Sequence, residues 1–247
     1  MQPDYPKIIE CPHCKGRMLI STLLSGNTFG MTQWSDTRSV VPMAPSVSPV
    51  LKCPVCKKYF FYQDARIAGR CRTHQNSSFG HLSYRSLKEA FEQLQPSGDR
   101  EITLRIMLLL GYNDCYKRNI VDPIPQSEIP AEERAYFEKN ARRIIELIPD
   151  NKPFCAEIYR ELGEFEQSIA LLYSMTTTDM HLAKIVRQIE EHALRRDSSV
   201  FVLEGYENGW SCVIDVDDKM FVYNKPKGSF LDYLRELFRD DKEDMYI

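Results

Sequence analysis

The chain of 247 residues carries 32 lysines and arginines against 35 aspartates and glutamates, with 43% apolar and 27% charged residues. These are the proportions of an ordinary folded protein, and they exclude wholesale disorder, a collagen-like fibre and a simple coiled coil. The length allows one large domain or two small ones. No run approaches the ~18 apolar residues that span a bilayer, and the opening MQPDYPKIIE lacks the basic and apolar regions of a secretory signal. The expected setting is therefore the cytoplasm, without membrane contact. Charge is unevenly spread: residues 1–80 hold ten basic and four acidic side chains, residues 81–200 sixteen and twenty, and residues 201–247 six and eleven. A basic head on an acidic body admits a nucleic-acid partner, although scattered lysines and arginines equally serve solubility.

The first 80 residues contain the most specific pattern. Cys11-Pro12-His13-Cys14 and Cys53-Pro54-Val55-Cys56 are two copies of CPxC. Two residues between thiolates let a tight turn aim both sulfurs at one ion, and four thiolates close a tetrahedral structural site with no vacancy for water. A redox dithiol of the thioredoxin kind would follow a strand and open a helix. Here each knuckle leads into a β-prone run instead, at residues 18–24 and 59–62. Knuckle followed by strand, twice, resembles a zinc ribbon with one zinc held by Cys11, Cys14, Cys53 and Cys56. The 38 residues between Cys14 and Cys53 exceed the compact spacing of 15 to 20 and form an insertion.

Within that insertion Ser25-Gly26-Asn27 and Ser35-Asp36 read as turns around a hairpin, and Pro42, Pro45 and Pro49 as an extended return. Trp34 and Phe29 are expected to cover the small metal-centred core, with base stacking on Trp34, Tyr59 or Tyr62 beside Lys57 and Lys58 as the functional alternative. Cys71 and His74 are three positions apart. A second zinc would need four ligands, and only Cys71, His74 and His81 are spare, with His13 inside the first knuckle. Cys115, Cys155 and Cys212 fall singly in apolar or mixed runs and read as small hydrophobes.

After Gly80 the period lengthens toward 3.6. Ser86 reads as the cap of a helix from Leu87 with Ala90, Phe91 and Leu94 on one face, and Asp99 as the cap of the next. Residues 102–112 are apolar almost all round, which predicts the buried centre of the body. After the proline-rich stretch 123–130, a helix is expected over 132–148. A helical hairpin follows over 154–162 and 165–175, then a helix over 179–195. The hairpin reads AEIYRELGEFEQSIALL, and its Ala156, Tyr159, Gly163, Phe165, Ser168 and Leu172 stand at spacings that resemble one tetratricopeptide repeat. The last 47 residues switch to short strands at 200–203, 210–216 and 220–223, a helix at 230–238 and an acidic tail at 240–244. Asp215, Asp217 and Asp218 read as a solvated turn, because the glycine and glutamate places of a calcium loop hold Met220 and Pro226.

The expected fold class is α+β: a zinc-ribbon domain over 1–80, a helical tetratricopeptide-like domain over 81–199, and a β-rich segment with a terminal helix and acidic tail over 200–247. Two CPxC knuckles joined to such helices resemble an uncharacterised group of bacterial proteins over about the first 195 residues, the cysteine motifs being the specific part. The resemblance implies zinc at Cys11, Cys14, Cys53 and Cys56 and protein contact through the helices, and it implies no reaction. The chain has no GxxxxGK[ST], GxGxxG, HExxH or GxSxG. The expectation is thus a non-enzymatic zinc-binding interaction scaffold, with a nucleic-acid-associated ribbon as the alternative. Zinc removal is expected to unfold the head while the helices persist, and neither CxxC pair to cycle as a redox dithiol.

Overall fold

The computed structural model describes residues 2–72, 77–118, 124–125 and 127–204, and the backbone of 211–214 and 220–222. Nine short strands come first: β1 Gln2–Pro3, β2 Lys7–Glu10, β3 Arg17–Ile20, β4 Leu23–Asn27, β5 Thr32–Gln33, β6 Ser39–Val40, β7 Val50–Lys52, β8 Tyr59–Phe61 and β9 Arg66–Arg70. Six helices follow: α1 Tyr84–Leu94, α2 Asp99–Tyr116, α3 Ala131–Leu147, α4 Lys152–Glu161, α5 Phe165–Tyr173 and α6 Met180–Leu194. Strands β10 Ser211–Ile214 and β11 Met220–Val222 come last. The strands form sheets in the orders β1-β4-β10-β11, β3-β2-β9, β5-β6 and β7-β8, so strands and helices are segregated along the chain as an α+β arrangement requires.

The hairpin β7–β8 is the wall between two cores. Alternation sends Leu51 and Phe60 to one face and Val50, Tyr59 and Phe61 to the other. The first pair joins Ile9, Cys11, Ile20 and Cys53 in a small cluster at the knuckles, while the second set joins the core of the helical body. Both faces of this two-stranded element are thereby covered.

The helix at the centre of the body is α4. Pro153, Phe154, Cys155, Ala156, Glu157, Ile158, Arg160 and Glu161 are all buried on it. On α2 the buried residues are Leu104, Leu108, Leu109, Gly111, Tyr112 and Asn113, whereas Ile102, Ile106, Met107 and Leu110 pack half-buried at the edge of the core. The expectation that residues 102–112 form the centre is corrected accordingly: α4 is covered by α5, α6 and α3, Asn113 of α2 bonds its Glu161, and charged side chains paired inside the fold occupy the places that apolar residues leave. α4 starts cleanly, with the Asn151 side chain accepting from the Phe154 N–H and a proline in its first turn. Gly163, at φ +79°, turns the chain into α5.

Two local expectations also change. The helix α1 starts at Tyr84, capped by Ser83, whose hydroxyl accepts from the Ser86 N–H; the cap lies one turn earlier because Tyr84 is itself buried. Ser25-Gly26-Asn27 is strand and not turn, pairing through β4 with Ser211, Cys212 and Val213 of β10. Gly26 stands there because residues 43 and 44 pass directly over it: a Cβ would lie 2.6 Å from the Met43 carbonyl oxygen. The turn comes later, where the Met31 N–H donates to the Thr28 carbonyl.

The run 200–203 is tied to the insertion. Trp34 bridges Val202, the Ser35 N–H donates to the Phe201 carbonyl and the Leu203 N–H to that of Gln33. The expected terminal helix at 230–238, the acidic tail and the Asp215, Asp217 and Asp218 turn lie outside the described residues. No described helix is long and apolar enough to cross a membrane.

Candidate metal centre

Each knuckle is the same backbone device built twice. In the first, the Cys11 N–H donates to the Gly16 carbonyl and the Lys15 N–H to that of Cys11; in the second, the Cys53 N–H donates to the Lys58 carbonyl and the Lys57 N–H to that of Cys53. The reversal needs a left-handed residue, which Lys15 and Lys57 supply at φ 60° and 63°. Each lysine ammonium folds back onto the carbonyl of its own knuckle's proline, Pro12 or Pro54. The Gly16 N–H points at the Cys14 sulfur.

These two turns bring together the four cysteines that the spacing singled out. The Cys11 and Cys56 sulfurs are 3.8 Å apart, those of Cys14 and Cys53 3.7 Å, and all four lie within 4.8 Å of one another. Thiolates bonded at ~2.3 Å to one tetrahedral ion stand about 3.8 Å apart. The sulfurs are thus spaced for one ion, and Cys11, Cys14, Cys53 and Cys56 form a possible four-cysteine metal site. Cys11 and Cys53 are fully buried, whereas Cys56 is half-buried and Cys14 exposed.

Thiol acidity follows from the same geometry. Burial pushes the Cys53 thiol up, but the N–H groups of Cys56 and Val55, with the thiols of Cys56 and Cys11, outweigh it and bring the group down to about 7. At Cys56 the Lys58 N–H favours the thiolate, yet burial and the thiols of Cys14, Cys53 and Cys11 together push it up to about 11. One negative charge is welcome among the four sulfurs and further ones repel. A bound cation removes that repulsion and completes the deprotonation.

The surroundings position the ligands. His13 bonds through Nε2 to the Tyr59 carbonyl, 3.1 Å away, and so ties the first knuckle to the strand that leaves the second. Gly16 sits against Val55 across the pair, where a Cβ would lie 2.8 Å from the valine methyl. Glu10, immediately before Cys11, is flanked by Arg17 and Arg66, whose hydrogen bonds hold its carboxyl below the usual range.

Other candidates fare differently. Phe29 is 69% exposed and Trp34 8%. Trp34 lies under the Arg118 guanidinium of the helical body, so neither aromatic covers the metal-centred core, which Phe60 and Leu51 fill instead. Tyr59 is buried, and its hydroxyl donates to Glu89. Cys155 packs as a small hydrophobe, its thiol pushed up to about 12 by burial. Cys115 is exposed, because it lies on the outer side of α2 beyond Tyr112. His74 and the side chain of Cys212 lie outside the described residues, and among those described the four cysteines form the only cluster of metal-ligating groups.

One set of residues had no signal in the sequence. Asp36, Asn113, Glu157, Arg160 and Glu161 are all buried and polar. On a helix, Glu157, Arg160 and Glu161 have the spacing of an ordinary solvated face. No family model, curated protein or solved structure matches this chain, so the site's geometry carries the functional reading.

Proposed function

We propose that this is a non-enzymatic, cytoplasmic zinc-binding protein, in which one structural zinc on Cys11, Cys14, Cys53 and Cys56 fixes a ribbon to a tetratricopeptide-like helical scaffold for another protein. The observation that carries the reading is the packing of four sulfurs within 4.8 Å of one another, a closed all-thiolate set that suits zinc or iron. Closed sites of four protein ligands serve structure, whereas a catalytic zinc keeps an open position. The contact face is assigned to the last helices, where Tyr173, Met180 and Leu194 are 68%, 76% and 60% exposed. The hairpin of α4 and α5, with Ala156 and Ser168 fully buried, supports the repeat-like reading.

A second reading, association with nucleic acid, draws on the exposed Arg17 and Arg66 beside the knuckles. The burial of Trp34 and Tyr59 takes away two of its three stacking platforms.

The test is metal analysis of purified protein with a visible spectrum. One zinc per chain and no colour is expected, and stoichiometric iron with a thiolate-to-iron band overturns the zinc assignment. The scaffold role is tested by substituting Tyr173, Met180 and Leu194 with alanine: specific co-purifying proteins should be lost while zinc stays bound. Salt-sensitive oligonucleotide binding that Arg17→Glu with Arg66→Glu abolishes would favour the second reading.

A further inference from the structure

A buried group of charged residues apart from the four cysteines lies between the insertion and the helices. The Asn113 amide, on the last turns of α2, donates through one nitrogen to two carboxylates, Asp36 Oδ2 and Glu161 Oε2, each at 2.9 Å. Arg118 takes Asp36 in a two-pronged grip at 2.6 and 3.3 Å, and Arg160 takes Glu157 likewise. Among the described residues no guanidinium bonds to Glu161. Its nearest cation, Lys117, stands 3.6 Å from Oε2 and directs its N–H groups to the carbonyls of Glu161 and Ser198. Glu161 Oε1 and Asn113 Oδ1 are buried acceptors that meet no donor among the described residues. An ionised carboxylate only accepts, whereas a protonated one also donates, and a charge buried without full pairing is costly.

We propose that Glu161 is a protonation-dependent latch: neutral, it holds the turn at Trp34, Ser35, Asp36 and Thr37 against α2 and α4, and its ionisation releases that turn. In the neutral state the carboxyl contributes the missing O–H donor and faces Asp36 without repulsion. In the ionised state two carboxylates compete for one amide, with Glu157 behind them. Burial first, then Glu157 and Asp36, push Glu161 up to about 7 against the opposing pull of Lys117 and Arg160. The groups facing it are Asp36 from the turn, Asn113 from α2, Lys117 and Arg118 just past its end, and Glu157 and Arg160 from α4. Outside these stand Asp114, paired with Arg38, and Asp197, paired with His192. A folded acid that binds its proton more tightly than the unfolded chain stabilises fully below the ordinary carboxylate value, and this contribution is lost as pH rises toward 7.

The sensor is built in, because Trp34 lies in the turn with the Arg118 guanidinium 4.6 Å above its ring. The experiment uses full-length, metal-loaded protein with Trp210→Phe, which leaves Trp34 as the sole tryptophan emitter. Emission and hydrogen exchange at residues 34–38 are followed from about pH 5 to about pH 9, a range that brackets the ordinary and raised carboxyl values. A reversible transition near pH 7, with faster exchange above it, is expected, and Glu161→Gln should abolish it and retain the low-pH signal. A transition that persists in Glu161→Gln, or that follows His81→Asn or His192→Asn instead, overturns the proposal. So does a wild type without one. Should Glu161→Gln fail to fold, the wild type decides by infrared spectroscopy: a buried protonated carboxyl band present at the acid end must vanish at the alkaline end, and a constant or absent band overturns the latch.

Discussion

Gln93 on α1 bonds to the backbone of Tyr59 as a neighbouring strand would: its Oε1 accepts from the Tyr59 N–H and its Nε2 donates to the Tyr59 carbonyl, each at 3.1 Å. That carbonyl also takes the His13 ring, and the Tyr59 hydroxyl reaches Glu89 one helical turn away from Gln93. A single residue of β8 therefore joins the first knuckle, the second knuckle and the helical body.

Gln93→Ala removes both bonds and strands the N–H of a buried residue, whose carbonyl keeps only the His13 ring, for an expected loss of ~1–3 kcal/mol. Chemical denaturation measures it. Metal content should not change, since Gln93 touches no cysteine.

Releasing the metal, with a strong chelator or by Cys53→Ser, should unfold the ribbon, whose core is Ile9, Ile20, Leu51 and Phe60 around the cysteines. The helical far-UV signal should persist at 25 °C, as α4 and its neighbours keep their own core. Val50, Tyr59 and Phe61 belong to that core too, so its melting temperature should fall by on the order of 5–10 °C, the effect of a few kcal/mol in a domain of this size. An unchanged second transition in calorimetry would show that the two cores are independent.

Arg160 and Glu157 are paired with both side chains fully buried. Arg160→Met leaves the carboxylate alone and should cost ~3–5 kcal/mol, whereas Glu157→Leu combined with Arg160→Met should cost less than the single change. Urea titration of the three proteins settles the order.

Gly26→Ala tests the strand directly. The added methyl meets the Met43 carbonyl at 2.6 Å and the Ala44 Cβ at 2.8 Å, an overpacking worth ~1–3 kcal/mol. A turn glycine in open space would tolerate the same change.

The four cysteines are legible in the sequence, because two identical CPxC turns can meet on one ion and no other ligand set is repeated in this chain. The order of strands and helices is legible too, since period-two runs and 3.6-period runs are local properties of side-chain spacing, whereas the caps expected at Ser86 and Asp99 fall instead at Ser83 and Gly98. Which helix is central follows from contacts between distant segments. The run at 102–112 is the more apolar, yet α4 holds the centre because Arg118, Asn113 and Lys117, distant in sequence, arrive to pair or bond its acids and the Asp36 carboxylate beside them. Gly26 and Trp34 depart from the sequence expectation for the same reason: whether a glycine marks a turn or a close crossing, and which core an aromatic enters, depends on segments that approach from elsewhere in the chain.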